Sequence, residues 1–341
     1  MNLVLERDGG NAFTYQEAQG YLPLRKAIVD NIKRVGINTI PDDIYVISGA
    51  QQGIDIVTKA LISAGDYVFA ENPTYSGALA AFESRNAKVI TFNLEKDGPD
   101  MKDLEKLMNM YKPRFIYTMP NFQNPTGCTW SERKKKYFLW LCKKHDALVV
   151  EDDYLSELNF TKETPLPLKS FDEDGRVIYI KSFSKIFMPG LRVAYLITPS
   201  KLKEKIMNAK YVSDISTSGL MQRVLEIYMK KDLWENHLKR MRREYSLRYI
   251  AALNSARKYL LNVKFTAPGG GLNLWIKLPD WIDSNTFSNE CIKKGVSIVP
   301  GKTFMPVGGE HYFRLSYAGV NEEQIENGMI ILGGILSNYK K

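Results

Sequence analysis

The segment Val177-Ile178-Tyr179-Ile180-Lys181-Ser182-Phe183-Ser184-Lys185-Ile186-Phe187-Met188-Pro189-Gly190-Leu191-Arg192-Val193-Ala194-Tyr195-Leu196-Ile197 decides how this chain is read. Two apolar runs, 177–180 and 193–197, have the length of buried strands, and Pro189-Gly190 marks a turn between them. Ser182, Ser184 and Lys185 stand where the first run ends, and Arg192 opens the second. A lysine just beyond a buried strand is an odd place for a surface charge. It suits an amine held beside a carbonyl, where desolvation and nearby cations lower its pKa and let it form a Schiff base. Two hydroxyls and a planar guanidinium suit a phosphate group. Read alone, the segment fits a solvated lysine after a strand equally well.

Working outward, the same rhythm recurs. Short strands are predicted at 44–48, 67–70, 89–92, 115–119 and 148–150, besides 177–180 and 193–197. Helices are predicted at 24–33, 77–84, 101–110, 131–145 and 201–213, with another following Gly49-Ala50-Gln51-Gln52-Gly53 and running through Leu61. This alternation predicts an α/β fold, a mostly parallel sheet with helices on both faces. Ligands of such sheets bind at the carboxyl ends of the strands. The tips therefore carry the functional reading. They are Ser48-Gly49-Ala50, Glu71-Asn72-Pro73-Thr74-Tyr75, Pro120-Asn121-Phe122-Gln123-Asn124-Pro125-Thr126-Gly127, Glu151-Asp152-Asp153-Tyr154 and Ser182-Phe183-Ser184-Lys185.

Together these tips supply what pyridoxal phosphate needs. Lys185 can take its aldehyde, and Asp152 can hold its ring nitrogen protonated so that the ring accepts electrons. Asn124 and the Tyr154 hydroxyl can bond its phenolic oxygen, and Tyr75 can stack on its face. The amides of Gly49, Ala50 and Gln51 at a helix start, with Ser182, Ser184 and Arg192, can hold its phosphate. Each has a plainer meaning alone: an Asn-Pro turn, a solvated acidic loop, a core tyrosine. Their recurrence at consecutive strand tips is what carries the reading.

Composition bounds the rest. The chain has 341 residues, 44% hydrophobic and 25% charged, which is ordinary for a globular protein with a sizeable core. No apolar run approaches the ~20 residues that span a bilayer, and Met1-Asn2-Leu3-Val4-Leu5-Glu6-Arg7-Asp8 lacks a signal-peptide pattern. Cys128, Cys142 and Cys291 lie far apart, and His145, His237 and His311 are scattered. Reduced thiols, a cytoplasmic location and no metal site are expected. A net charge of +9 favours anionic partners such as carboxylates and phosphates. The basic run Lys239-Arg240-Met241-Arg242-Arg243 reads as a solvated helix face, so nucleic acid is not expected.

Three regions are expected: an N-terminal arm at 1–14, a large cofactor-binding domain at 15–215, and a smaller α+β C-terminal domain at 216–341. The last has helices at 220–229 and 233–261, a Gly269-Gly270-Gly271 turn, strands at 272–277 and 313–317, and a closing helix at 322–336.

The motifs Ser48-Gly49-Ala50-Gln51-Gln52, Asn72-Pro73-Thr74-Tyr75, Asn124-Pro125-Thr126-Gly127, Asp152-x-Tyr154, Ser182-x-Ser184-Lys185, Arg192 and Phe313-Arg314-Leu315-Ser316-Tyr317 resemble fold-type I pyridoxal-phosphate enzymes of the class I/II aminotransferase group. Within it the chain is similar to 2-aminoadipate and kynurenine type aminotransferases. It is also similar to the aminotransferase-like domain of MocR-type regulators.

The resemblance implies transfer of an amino group from an amino acid to a 2-oxo acid, 2-oxoglutarate by family habit. It makes Lys185 the cofactor-bound lysine and proton shuttle, Asp152 the ring-nitrogen partner, and Arg314 the clamp on the substrate α-carboxylate. Tyr21 resembles a tyrosine that reaches a partner subunit's phosphate, so a homodimer is implied. Cis peptides are implied at Asn72-Pro73 and Asn124-Pro125. The front of the chain is shorter than in typical members. Two alternatives stay open on the same residues: a pyridoxal-phosphate effector domain derived from a MocR/GntR-type regulator without its DNA-binding part, and a β-lyase.

Overall fold

The computed structural model describes residues 1–161, 164–230 and 233–339. Its first half alternates as the apolar periodicity demands. In chain order come α1 (Asn2–Asp8), α2 (Leu22–Ile32), β1 (Ile44–Ile47), α3 (Ala50–Leu61), β2 (Tyr67–Asn72), α4 (Ser76–Glu83), β3 (Lys88–Glu95), β4 (Gly98–Pro99), α5 (Met101–Met110), β5 (Pro113–Thr118), α6 (Glu132–Lys144), β6 (Leu148–Asp153), β7 (Val177–Ser182), β8 (Ala194–Ile197) and α7 (Lys203–Asp214). The second half holds α8 (Gly219–Lys230), α9 (Leu233–Tyr259), β9 (Lys264–Phe265), β10 (Asn273–Lys277), α10 (Ser284–Lys293), β11 (Val299–Pro300), β12 (Tyr312–Ser316) and α11 (Glu322–Leu336).

The first eight strands form one sheet in the order β1-β8-β7-β6-β5-β2-β3-β4. The core from β3 to β7 is parallel, and β8 and β1 close one side antiparallel. Strands covered on both faces should read as unbroken apolar runs. Those of β1 and β8 are buried at every position, and so are all of β7 and all but the first residue of β6. One core packs β1 and β7 against α3 and α7, through Ile47, Ile54, Val57, Ile180 and Ile206. On the opposite face, Phe138, Leu141 and Cys142 of α6 pack with Ile116 and Val149.

Local chemistry sets where helices begin. Asp100 accepts from the amides of Lys102 and Asp103 ahead of α5, and Ser131 caps α6. Asn321 and Gln324 form a reciprocal capping box on α11.

The second sheet has the order β11-β12-β10-β9, all antiparallel. Its core joins Leu274, Ile276 and Phe313 to Ala252 and Ala256 of α9 and Met329 and Leu332 of α11. The 27-residue α9 links the two layers. Trp234 and Leu238 at its start pack with α2, α8 and the first sheet.

Two expectations are corrected. Strands run further than the apolar runs suggest: β2 extends through Asn72, β6 through Asp153 and β7 through Ser182. Ladder pairing, such as Asp152 opposite Ile180, carries polar residues into the sheet. Residues 1–14 also have more structure than an arm implies. Val4 and Ala12 are buried, and Arg7 pairs with the buried Glu226 of α8 at 2.7 Å.

Ile180 is fully buried in β7. Ile180→Ala is expected to cost about 2–5 kcal/mol through lost burial and a residual cavity. Urea unfolding should register this as a lower midpoint with an unchanged slope; a midpoint within error of wild type would contradict the packing described.

Candidate active site

The carboxyl ends of β2, β5, β6 and β7 open on one side of the sheet, where a cavity of about 420 Å³ lies against them. Ala50, Gln51, Tyr75, Asn124, Asp152, Tyr154, Ser182, Ser184, Lys185, Arg192 and Arg314 all line it. Gly49 stands one residue before its wall. Tyr21 does not line it: Arg223 lies over that ring at 4.2 Å. A larger cleft of about 700 Å³ beside β10 takes Phe122, Thr126 and Gly127 from one strand tip but none of the residues assigned above to cofactor or substrate.

Strand alternation sorts the acidic triplet of β6. Glu151 accepts from the amides of Leu168 and Lys169, both at 2.7 Å. Asp153 pairs with the buried Lys181 at 3.0 Å and accepts from the Tyr179 hydroxyl. Asp152, between them, is the one that lines the cavity. It is 3% exposed. Tyr117 donates to its Oδ2 at 2.8 Å, while Oδ1 is buried with no partner among the described residues. Burial pushes its pKa up to about 6; the Asp153 charge adds to this, and the Tyr117 bond and Lys181 oppose it.

The anion side is built from backbone. Gly49, at φ 105°, turns the chain into α3, whose start has no side-chain cap and no acidic residue in its first turn. Its first amides are free to meet an anion. Arg192 donates to Ser48 O at 3.0 Å and reaches Ser184 Oγ at 3.5 Å. A Cβ at Gly49 would push this guanidinium aside, and the backbone at φ 105° itself calls for glycine.

Opposite, β12 carries Arg314. Its Nη1 donates to Asn124 Oδ1 at 2.8 Å, its Nε is buried without a partner among the described residues, and it lies over Phe304 at 4.8 Å. Burial lowers its pKa. The bond to Oδ1 orients the Asn124 amide and leaves its nitrogen for the cavity. The Tyr154 hydroxyl donates to Phe122 O at 2.8 Å. Burial raises the Tyr75 pKa, and the Asp152 charge reinforces this. Asn72-Pro73 and Asn124-Pro125 are both cis.

The segment by itself leaves Lys185 open between a desolvated amine and a solvated lysine, and in this chain it is exposed, as are Gln51 and Arg192. It lies in a turn past the end of β7, beyond the ladder that buries Ser182.

Sequence reasoning missed Met119, Pro189, Leu272, Asn273, Ser316 and Ala318 in the wall. Ser316 was within reach: two residues past Arg314 on one strand, it shares that face. Asn273 follows the glycine turn with no signal of its own.

Comparison with known proteins decides the family. The family model for aminotransferase class I and II matches residues 2–330. The chain belongs to the class I and II aminotransferase family. This aminotransferase is 33% identical to aromatic-amino-acid aminotransferase 1 of Thermococcus litoralis, over 96% of this chain and 80% of that protein. It is 30% identical to the HTH-type transcriptional regulator YdfD of Bacillus subtilis, over 94% of this chain and 67% of that one. Among solved structures it resembles the alpha-aminoadipate aminotransferase LysN of Thermus thermophilus, complexed with N-(5'-phosphopyridoxyl)-L-leucine. The TM-score is 0.93 at 32% identity, covering 98% of this chain and 86% of LysN. The cofactor is pyridoxal 5'-phosphate, and the chain is a transaminase dependent on it. The unpaired Asp152 oxygen and the uncapped start of α3 suit that group chemically, an anionic oxygen answering a protonated ring nitrogen and helix-start amides answering a phosphate. No described helix is long and apolar enough to cross a membrane.

Two outcomes are expected. Gly49→Ala should displace Arg192 and weaken cofactor retention on gel filtration by about tenfold or more; unchanged retention would dissociate Arg192 from the anion site. In cofactor-free protein, the raised Asp152 pKa gives stability that is full below about 3.8 and lost as pH rises through about 6. Asp152→Asn removes this loss, up to roughly 3 kcal/mol. Urea midpoints of the two proteins at pH 5 and pH 7 should therefore change differently, wild type falling more.

Proposed function

We propose that the cavity holds pyridoxal 5'-phosphate between Asp152 and the start of α3, and that the substrate enters from the Arg314 side. Asp152 Oδ1 would hold the ring nitrogen proton, with Tyr117 keeping the carboxylate oriented. The Asn124 amide nitrogen and Tyr154 would face the phenolic oxygen, and Tyr75 would cover the ring. The Ala50 and Gln51 amides, Ser182, Ser184 and Arg192 would bind the phosphate, with Gly49 giving Arg192 its space. When bound, the cofactor supplies an aldehyde that carries the amino group and a cationic ring that accepts electron density.

The protein's own part is positioning and proton movement. Arg314 offers a planar fork, with Nε unpaired among the described residues, to the substrate α-carboxylate. This would fix the Cα–H within reach of Lys185 Nζ, the only lysine among the described residues lining the cavity. Lys185 would take the Cα proton and return it across the amino nitrogen, to the carbon that the cofactor's aldehyde supplies. The donor is an amino acid and the acceptor a 2-oxo acid, which we assign as 2-oxoglutarate. The observation that carries the assignment is that Lys185, Asp152, Asn124 and Arg314, from four separate stretches of chain, line one cavity.

The exposed Lys185, Arg192 and Gln51 mark an open rim. Met188, Tyr211, Val212 and Ile215, all exposed, lie on the segments bounding it. The end of α7 is held to the Ser48 turn by Asp214 at 3.3 Å. These features support a homodimer that covers the rim and, with Tyr21 partly exposed, could bring that ring to a partner's site. A cytoplasmic location agrees with three cysteines that are all unpaired.

Lys185→Ala should bind the cofactor without attaching it, lose the absorbance band that attachment produces, and show no turnover in an amino-donor screen with 2-oxoglutarate. Turnover by that variant would refute the assignment.

A further inference from the structure

Behind the cavity wall lies a carboxylate that the reaction does not use. Glu71, on β2, is fully buried, and no cationic side chain pairs with it among the described residues. Thr118 Oγ1 donates to its Oε1 at 2.5 Å, Gln123 Nε2 donates to Oε2 at 3.1 Å, and Met119 N lies 3.3 Å from each oxygen. Gln123 is equally buried and fully used. Its Nε2 also donates to Pro73 O at 2.6 Å, and its Oε1 accepts from Thr126 N at 3.0 Å and Thr126 Oγ1 at 2.7 Å.

We propose that Glu71 and Gln123 are positioning residues: a buried clasp that ties the two Asn-Pro turns together and so sets Tyr75 and Asn124 in the cavity. The topology makes this direct. Pro73 lies two residues before Tyr75, and Asn124 follows Gln123. Asn124 in turn holds Arg314, so the clasp reaches the carboxylate fork through one further bond. All of the groups meeting Glu71 are donors, which the ionised, acceptor-only carboxylate answers and an amide does not. Burial without a counter-charge is costly and pushes the Glu71 pKa up to about 7, against the Thr118, Gln123 and Met119 bonds. An apolar side chain would fill the space at less cost. The arrangement is explained by orientation of the turns. The inference rests on the cofactor assignment above.

The test compares Glu71→Gln, Gln123→Glu and the double exchange in full-length protein loaded with pyridoxal phosphate. Glu71→Gln turns one acceptor into a donor facing donors. It should shift the induced circular dichroism of the bound cofactor and raise KM for the amino donor by about tenfold, with kcat changed less. The double exchange should recover part of both, since the amide now on β2 can donate to the carboxylate now on the facing turn. Should Glu71→Gln fail to fold, Thr126→Val, which removes one bond to Gln123, should move the same two readouts to a smaller extent. Variants that load with wild-type dichroism and KM, and differ only in melting temperature, overturn the clasp. Wild-type protein that takes up no pyridoxal phosphate overturns the parent assignment instead, so the two failures appear in different samples.

Discussion

Asp152 is ionisable, nearly inaccessible, and satisfied on one oxygen only among the described residues. A carboxylate in that position is costly unless something cationic meets its free oxygen. Everything near it makes sense as a way to sustain that arrangement. Tyr117, from the neighbouring strand, fixes one oxygen. Asp153, one residue on, points to the other face, where Lys181 neutralises it. The two acids are therefore separated by the pleat of a single strand. The result is one carboxylate committed to structure and one left for a ligand.

The remaining groups reach the cavity by different routes, and their rigidity differs accordingly. Asp152 and Ser182 sit within strands, so the sheet ladder sets their place. Asn124 and Tyr75 sit on turns, held from behind by the Glu71 and Gln123 network. Arg314 comes from the second sheet. The layers touch through Thr74 N to Phe304 O at 2.9 Å and Gly271 N to Leu158 O at 2.9 Å. Lys185 and Arg192 lie on the turn after β7 and are open to solvent. The electrostatic floor of the site is thus set by the sheet, and the cations beside it are carried by a turn.

Much of this was legible from the residues. Apolar runs of strand length alternating with helical spacing fix a parallel sheet, because strands covered on both faces read that way. The tips then follow, and with them Asp152, Asn124, Ser182 and Lys185, because parallel strands all open at the same edge. The family resemblance added Arg314, for which pattern alone offered only an arginine on a late strand.

The chain order of amino acids by itself determined the strand tips, the chemistry gathered there and the α/β class, since each depends on local periodicity and side-chain type. Only the tertiary structure decided which of Glu151, Asp152 and Asp153 faces the cavity, that Tyr117, Glu71 and Gln123 stand behind the site, and that Lys185 is exposed. Those outcomes depend on register, strand length and packing across distant segments. A strand that runs three residues past its apolar run changes which way a carboxylate points, and no local signal records how far the ladder will continue.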